Sequence, residues 1–355
     1  MHMKKDTLRV AAVVATLLAT GSLQAQLQLE QVWTLAPGAR SYLTTDNTQR
    51  GLAYNPVTGH LLLANRAGGV SVNVMDSLTG ADLGTLDVTG IAGGTFALNL
   101  IDVAADGAIY GANLTLNGST DPFKVYRWAS ETAAPTLVYS GNPGPSVANR
   151  FGDTFAVRGA GNDTQILAAS RAGTVGAVLL TPDGGSSFVA YEVATDAAAG
   201  DIGLGATFGT GNDFWATASG RTLRHLEVNT STMSAMTVGN FGAAEGVPLA
   251  TAFLGIEPTL GVLAGVELFS DTALPTPDNL NFYDISSGTP VWLDSEVIPT
   301  GNANLNGTGA IDFGNGMMYV LESNNGVTAY AMIPEPGTYL LLGLGLVALW
   351  ARRKV

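Results

Sequence analysis

Residues 50–64 read Arg50-Gly51-Leu52-Ala53-Tyr54-Asn55-Pro56-Val57-Thr58-Gly59-His60-Leu61-Leu62-Leu63-Ala64. A short apolar run meets a polar turn containing Pro56 and Gly59, then a second apolar run follows. Such a pair reads as two strands joined by a tight turn. Val70, Val72 and Val74 then alternate with Ser71 and Asn73, which predicts a third strand, and Leu83–Val88 predicts a fourth. Alternate side chains leave a strand on opposite faces, so this alternation buries one or both faces of a sheet.

The same four-strand unit recurs along the chain. Its second strands begin near Leu61, Ile109, Ile166, Phe214, Leu260 and Met317, spaced by roughly 46–57 residues. First strands are expected at Leu52–Tyr54, Leu100–Val103, Phe155–Val157, Gly205–Phe208, Leu249–Leu254 and Ala310–Phe313. Turn signals punctuate the units at Asp106-Gly107, Asn162-Asp163, Asn212-Asp213 and Asn315-Gly316. No long amphipathic helix interrupts them. Four strands per unit at this period predict an all-β fold, a β-propeller of six four-stranded blades. Seven blades, and a β-sandwich or solenoid, are the alternatives; the fifth unit carries the weakest pattern, with Pro275 and Pro277 marking a long loop.

The sixth unit ends at Met332 without a fourth strand, while Gln31-Val32-Trp33-Thr34-Leu35 precedes the first unit unpaired. Pairing the two closes the ring and removes two edges, which is the expectation here because open edges invite aggregation. The first unit resembles β-propeller repeats in general. That likeness is architectural and selects no function, since propellers host hydrolases, lyases, quinone enzymes, adhesins and scaffolds.

The ends carry signals of their own. Lys4, Lys5 and Arg9 precede the apolar run Val10–Thr20, and Ala25 supplies a small residue for cleavage, so residues 1–25 read as a secretory signal peptide. At the other end Pro334-Glu335-Pro336 leads into Tyr339–Trp350, and Arg352, Arg353 and Lys354 follow. The apolar stretch predicts a C-terminal transmembrane helix. From Pro336 to Ala351 it would span about 24 Å, slightly less than a hydrocarbon layer of about 30 Å. The basic cluster acts as its stop on the cytoplasmic side.

This three-part tail, residues 333–355, resembles the PEP-CTERM sorting signal of bacterial exported proteins. The resemblance implies recognition of Pro334, Glu335 and Pro336 by an exosortase, a membrane-embedded cysteine transpeptidase-like enzyme. It also implies transient anchoring in the inner membrane, after export through the secretion machinery, and delivery to a cell surface or extracellular matrix rich in polysaccharide, as in biofilm-forming bacteria.

Composition excludes several classes of function for the ectodomain, residues 26–332. The chain has 355 residues, no Cys, three His, 13% charged residues and a formal net charge of −13. Between residues 26 and 332 lie 27 acidic and ten basic residues, so the ectodomain carries about −17. A nucleic-acid binder that neutralises phosphates is not expected. The lack of Cys removes disulfides, thiolate zinc sites and thiol nucleophiles.

His60 and His225 read as turn or strand surface residues, and no Gly-x-Ser-x-Gly elbow accompanies either. Asp271, Asp278 and Asn279 share one loop but have poor calcium-ligand spacing. Trp128, Trp215 and Trp292 are expected to pack between blades, with sugar stacking as the alternative. The triplets at Asn113, Asn117, Asn229 and Asn306 read as turn or loop residues. No residue is therefore singled out as catalytic, cofactor-binding or metal-binding, and no cofactor is expected. The leading expectation is a non-catalytic structural or adhesive propeller. The alternative is a propeller hydrolase or lyase acting on matrix polysaccharide, with Asp102, Asp153 and Asp312, all near first strands, converging in the central channel.

Overall fold

The computed structural model describes residues 27–146, 150–268, 277–301 and 306–334. The signal peptide with Ala25, the loop residue Asp271, and the tail from Glu335 through Pro336 to Arg352, Arg353 and Lys354 lie outside the described residues. Leu29–Met332 form one compact unit.

Strand β1 (Leu27–Leu35) is followed by a sheet of four strands in chain order, β2 (Gln49–Asn55), β3 (His60–Asn65), β4 (Ser71–Asp76) and β5 (Asp82–Thr85). The next sheet repeats that order with β6 (Phe96–Val103), β7 (Ile109–Leu114), β8 (Phe123–Trp128) and β9 (Thr136–Gly141). An eight-stranded sheet follows, built from two successive meanders. The first is β10 (Ala156–Arg158), β11 (Gln165–Ala169), β12 (Val175–Leu180) and β13 (Val189–Thr195); the second is β14 (Gly205–Phe208), β15 (Asp213–Thr217), β16 (Leu223–Asn229) and β17 (Ser234–Phe241). A short parallel pairing of their outer strands, Ala194 with Ser234 and Thr195 with Ala235, joins them.

The next four-stranded sheet holds β18 (Thr251–Glu257), β19 (Val262–Glu267), β20 (Pro277–Asp284) and β21 (Val291–Gly301). The last consists of β22 (Gly309–Gly314), β23 (Met317–Glu322) and β24 (Gly326–Pro334), with β1 beside β24 as its fourth strand. The result is all-β and propeller-like, with four sheets standing as separate four-stranded blades. Beyond strands, the described residues contain two short 3-10 turns, and no helix among them is long and apolar enough to cross a membrane.

Consecutive strands within each unit return antiparallel because their turns suit it. At the β22–β23 turn, Asn315 and Gly316 have φ of 53° and 73°. Asn tolerates and Gly favours this left-handed geometry, whose twist matches that of the flanking strands. The first strands form a ring: β2 packs against β6 and β22, β10 against β6 and β14, and β18 against β14 and β22. These strands approach almost backbone to backbone. A Cβ on Gly51 would lie 2.7 Å from the Ile101 amide nitrogen, so only glycine fits there without displacement.

The core lies between neighbouring sheets. Ala53, Leu62 and Val72 pack against Leu98, Ile101 and Trp128 of the next sheet. Leu61, Leu63 and Met75 meet Tyr319, Leu321 and Val327 across the first and last sheets. Each fully buried large side chain contributes about 1.5–3 kcal/mol, and the alternation read from the sequence supplies one such face to each neighbour.

The fifth unit departs from the expected boundaries. Leu249 and Leu260 are exposed rather than in strands. Thr259, Leu260 and Gly261 form the turn, with Gly261 at φ 64°, so β19 starts at Val262. At the end of the described chain, β24 runs to Pro334, two residues past the predicted boundary. A proline is acceptable there because it closes the strand, where no further ladder donor is needed.

Candidate functional site: the central channel

The six first strands enclose a cavity of about 600 Å³, lined by residues that include Leu52, Ile101, Val157, Ala206, Leu254 and Ile311. Its volume lies within the range of small-molecule sites. Asp102, Asp153 and Asp312 all border it, but they serve two different arrangements.

Asp312 joins β22 to β2. Its Oδ2 accepts from the Tyr54 amide at 2.6 Å and its Oδ1 from the Phe313 amide at 2.8 Å. Asp102 repeats the device between β6 and β10, accepting from the Val157 amide at 2.5 Å and the Val103 amide at 2.7 Å. Both carboxyls are half-buried at the channel wall. Desolvation pushes the Asp312 carboxyl up to about 7, against the two amides that favour its charged form. Desolvation also raises Asp102, and the Asp312 charge adds to the rise. Acidic groups of raised pKa in a cleft are candidates for proton transfer. Here, however, all four carboxyl oxygens of the pair are bonded to backbone amides.

Asp153 stands apart, with its side chain fully covered. Arg150 holds it with Nε at 2.5 Å and Nη2 at 2.6 Å, and Arg171 Nη1 lies at 3.5 Å. A carboxylate so paired neutralises cations rather than serving as a base. This arginine surrounding is the feature that sequence reading missed: Arg50, Arg66, Arg150 and Arg171 are scattered over 122 residues of sequence with no local motif.

The histidines are also engaged. His60 Nδ1 is 2.7 Å from Glu131 Oε2, while Glu131 Oε1 accepts from Asn55 Nδ2 at 2.9 Å. His225 Nε2 is 2.8 Å from Asp213 Oδ2, and its ring stacks on Trp215 with centroids 4.2 Å apart. Burial acts to raise the Asp213 carboxyl, but His225, the Gly211 amide and Arg158 together hold it below the usual range.

Trp128 and Trp215 are buried. Trp292 is not: it is 53% exposed on β21, the outer strand of its sheet, which corrects the expectation of interblade packing. Asp278 and Asn279 lie in β20 rather than in the expected loop, with Asp278 buried, and no group of metal-ligating side chains assembles among the described residues. Asn113 lies buried within β7 rather than in a turn and accepts from the Lys124 amide at 2.8 Å, while Asn117 and Asn229 shape turns by accepting from the Ser119 and Ser231 amides. Asn306 is exposed.

With this geometry established, two stretches of the chain match family models. Residues 333–354 match the PEP-CTERM protein-sorting motif. The protein is thus an exported, propeller-like protein carrying a sorting signal that exosortase processes. Within the ectodomain, residues 45–181 match a family described as a domain of unknown function, DUF4623. That match begins just before β2 and ends just after β12, and it assigns no activity. No curated protein matches the chain.

Proposed function

We propose that this is an exosortase-sorted surface or extracellular-matrix protein whose six-bladed propeller is structural or adhesive rather than catalytic. In this reading the eight-stranded sheet counts as two blades bridged by β13 and β17. Signal cleavage follows Ala25, and the segment after Pro336 is a transient transmembrane helix stopped by Arg352, Arg353 and Lys354. The observation that carries the non-catalytic reading is the state of the acids. Asp102 and Asp312 hold backbone amides of neighbouring first strands, and Asp153 is held by two arginines. A general base must be placed to reach a substrate proton, and these carboxyls are instead held against the wall by the groups they bind. The exposed ring of Trp292 supports glycan contact, since an aromatic face stacks on a sugar ring.

Two measurements test this reading. Mass spectrometry of the mature protein from exosortase-active cells is expected to show a chain lacking residues 352–355; a retained basic end overturns processing at the tail. Co-sedimentation of the secreted protein with the host's own extracellular polysaccharide is expected to show retention. Release of shorter saccharides from that polysaccharide, abolished by Asp102→Asn or Asp312→Asn, would instead establish the hydrolase or lyase alternative.

A further inference from the structure

Basic residues are scarce in the ectodomain, yet four of its ten gather at one place. Arg50 lies near the start of β2, Arg66 just after β3, Arg150 before β10 and Arg171 after β11. The Arg66 guanidinium sits 3.9 Å from the centroid of Phe96, and that of Arg50 lies 5.2 Å from the same ring. Arg66 Nη1 donates to Asn99 Oδ1 at 2.8 Å, and Asn99 Nδ2 donates to the Gly152 carbonyl at 2.7 Å. That chain of contacts leads to Asp153 and its two arginines. Among the described residues, Asp153 is the one carboxylate that forms an ion pair with any of the four. One negative group thus serves a corner that holds four positive ones, pairing with Arg150 and Arg171 and acting at longer range on Arg50.

Arg50 is the decisive member. It is 5% exposed, and its Nε is buried with no hydrogen-bond partner among the described residues. The face of Phe96 offsets part of the guanidinium's lost hydration, but a buried charged donor without an acceptor remains costly. Burial lowers the Arg50 pKa, and Arg150 and Arg171 lower it further against the opposing pull of Asp153. Burial brings Arg66 down to about 10, with Arg50 contributing. The site is crowded with like charge; Arg66 is satisfied by Asn99 and the Asn47 carbonyl, and the donor left without an acceptor is Arg50 Nε. It is not sealed, because the side chains of Arg150 and Arg171 are each 31% exposed.

Guanidinium groups present planar forks of N–H donors that match the paired oxygens of a carboxylate or sulfate. We propose that Arg50, Arg66, Arg150 and Arg171 form an oxyanion-binding site that takes the acidic group of an extracellular polysaccharide. The identity of the bearer rests on the matrix-binding reading above; the oxyanion chemistry does not. The net negative charge of the ectodomain repels a polyanion at long range. Attraction is therefore local to this corner and weakened by salt.

The test uses the mature protein with four probes at constant ionic strength: sodium sulfate, sodium glucuronate, alginate as a polyuronate and dextran as a neutral polymer. Sulfate and glucuronate are expected to raise Tm by about 1–3 °C. Alginate retention is expected to exceed dextran retention. Arg171→Gln abolishes the Tm shift and lowers alginate retention about tenfold, while Arg127→Gln, outside the cluster, changes neither. Arg171→Gln is the primary variant because Arg150 still holds Asp153 in it; Arg50→Gln is the second. Absence of a shift with both anions, or an equal shift in Arg171→Gln, overturns the site. An Arg171-dependent sulfate shift without alginate retention upholds the oxyanion site and overturns the polysaccharide as bearer. Retention on dextran with no anion response upholds the matrix reading and overturns this inference.

Discussion

The ring of first strands carries two kinds of polar groups, and they are treated in opposite ways. Asp102 and Asp312 have both oxygens occupied by amides that belong to their own and the neighbouring strand. Arg50, on the same ring, has its Nε buried with no acceptor among the described residues. A satisfied polar group in a wall serves the fold, because its removal leaves donors unpaired. An unsatisfied one costs stability and calls for a partner from outside. The first arrangement explains how the ring is held; the second marks where it is open to a ligand.

The largest effect is expected at Asp312. Asp312→Ala removes two amide acceptors, one of which links β22 to β2 across 258 residues of chain. The expected loss is about 2–3 kcal/mol, read as a lower urea midpoint at unchanged slope. Anion response through the arginine corner is expected to persist. A loss below about 0.5 kcal/mol would place Asp312 with ordinary surface substitutions and break the contrast.

Titration of the acid pair sharpens it next. An unfolded Asp ionises near pH 4, whereas the folded Asp312 carboxyl holds its proton to about pH 7. Between those values the folded state binds more protons than the unfolded one. Stability therefore falls as pH rises through the window, with a slope of no more than about 1.4 kcal/mol per pH unit for one proton. Asp102 is raised as well, by burial and by the charge of Asp312, so it acts in the same direction. Tm measured from about pH 5 to about pH 8 is expected to decline, and Asp312→Asn is expected to flatten the decline. A wild-type Tm that rises across this range would show that the carboxyls fold as charged groups.

How much of this was legible in the sequence follows from how local each feature is. The alternation at Val70–Met75 and the Asn315-Gly316 turn are effects of adjacent residues, and both identify strands correctly. The pairing of β1 with β24 was also readable, because an unmatched strand at each end has one economical partner. The failures are of two kinds. Leu260 looked like strand because hydrophobicity does not separate a strand start from an exposed turn next to Gly261. Trp292 looked like core because a large aromatic in a strand does not say whether a neighbouring sheet covers its face. The arginine corner was invisible since its members come from two different sheets and meet only when the ring closes. Even the three aspartates, which were singled out, gave no hint that two would grip amides and one would grip arginines.

The smallest effect is expected where the contrast is most exposed to failure, at Arg50→Met. Methionine keeps much of the unbranched length of the arginine and adapts to irregular gaps, while removing a charge that lacks an acceptor. Replacing a buried, poorly compensated ion by an apolar side chain of similar volume is commonly neutral or stabilising. The cation–aromatic contact with Phe96 is lost, which subtracts about 0.5–1 kcal/mol or somewhat more where it is desolvated. The two contributions nearly cancel, so the urea midpoint is expected to stay within about 1 kcal/mol of the parent, while the sulfate-induced rise in Tm disappears. The reverse result is as informative. If Arg50→Met destabilised as much as Asp312→Ala and left the sulfate response intact, Arg50 would belong to the framework of the ring, and the arginine corner would be part of its architecture.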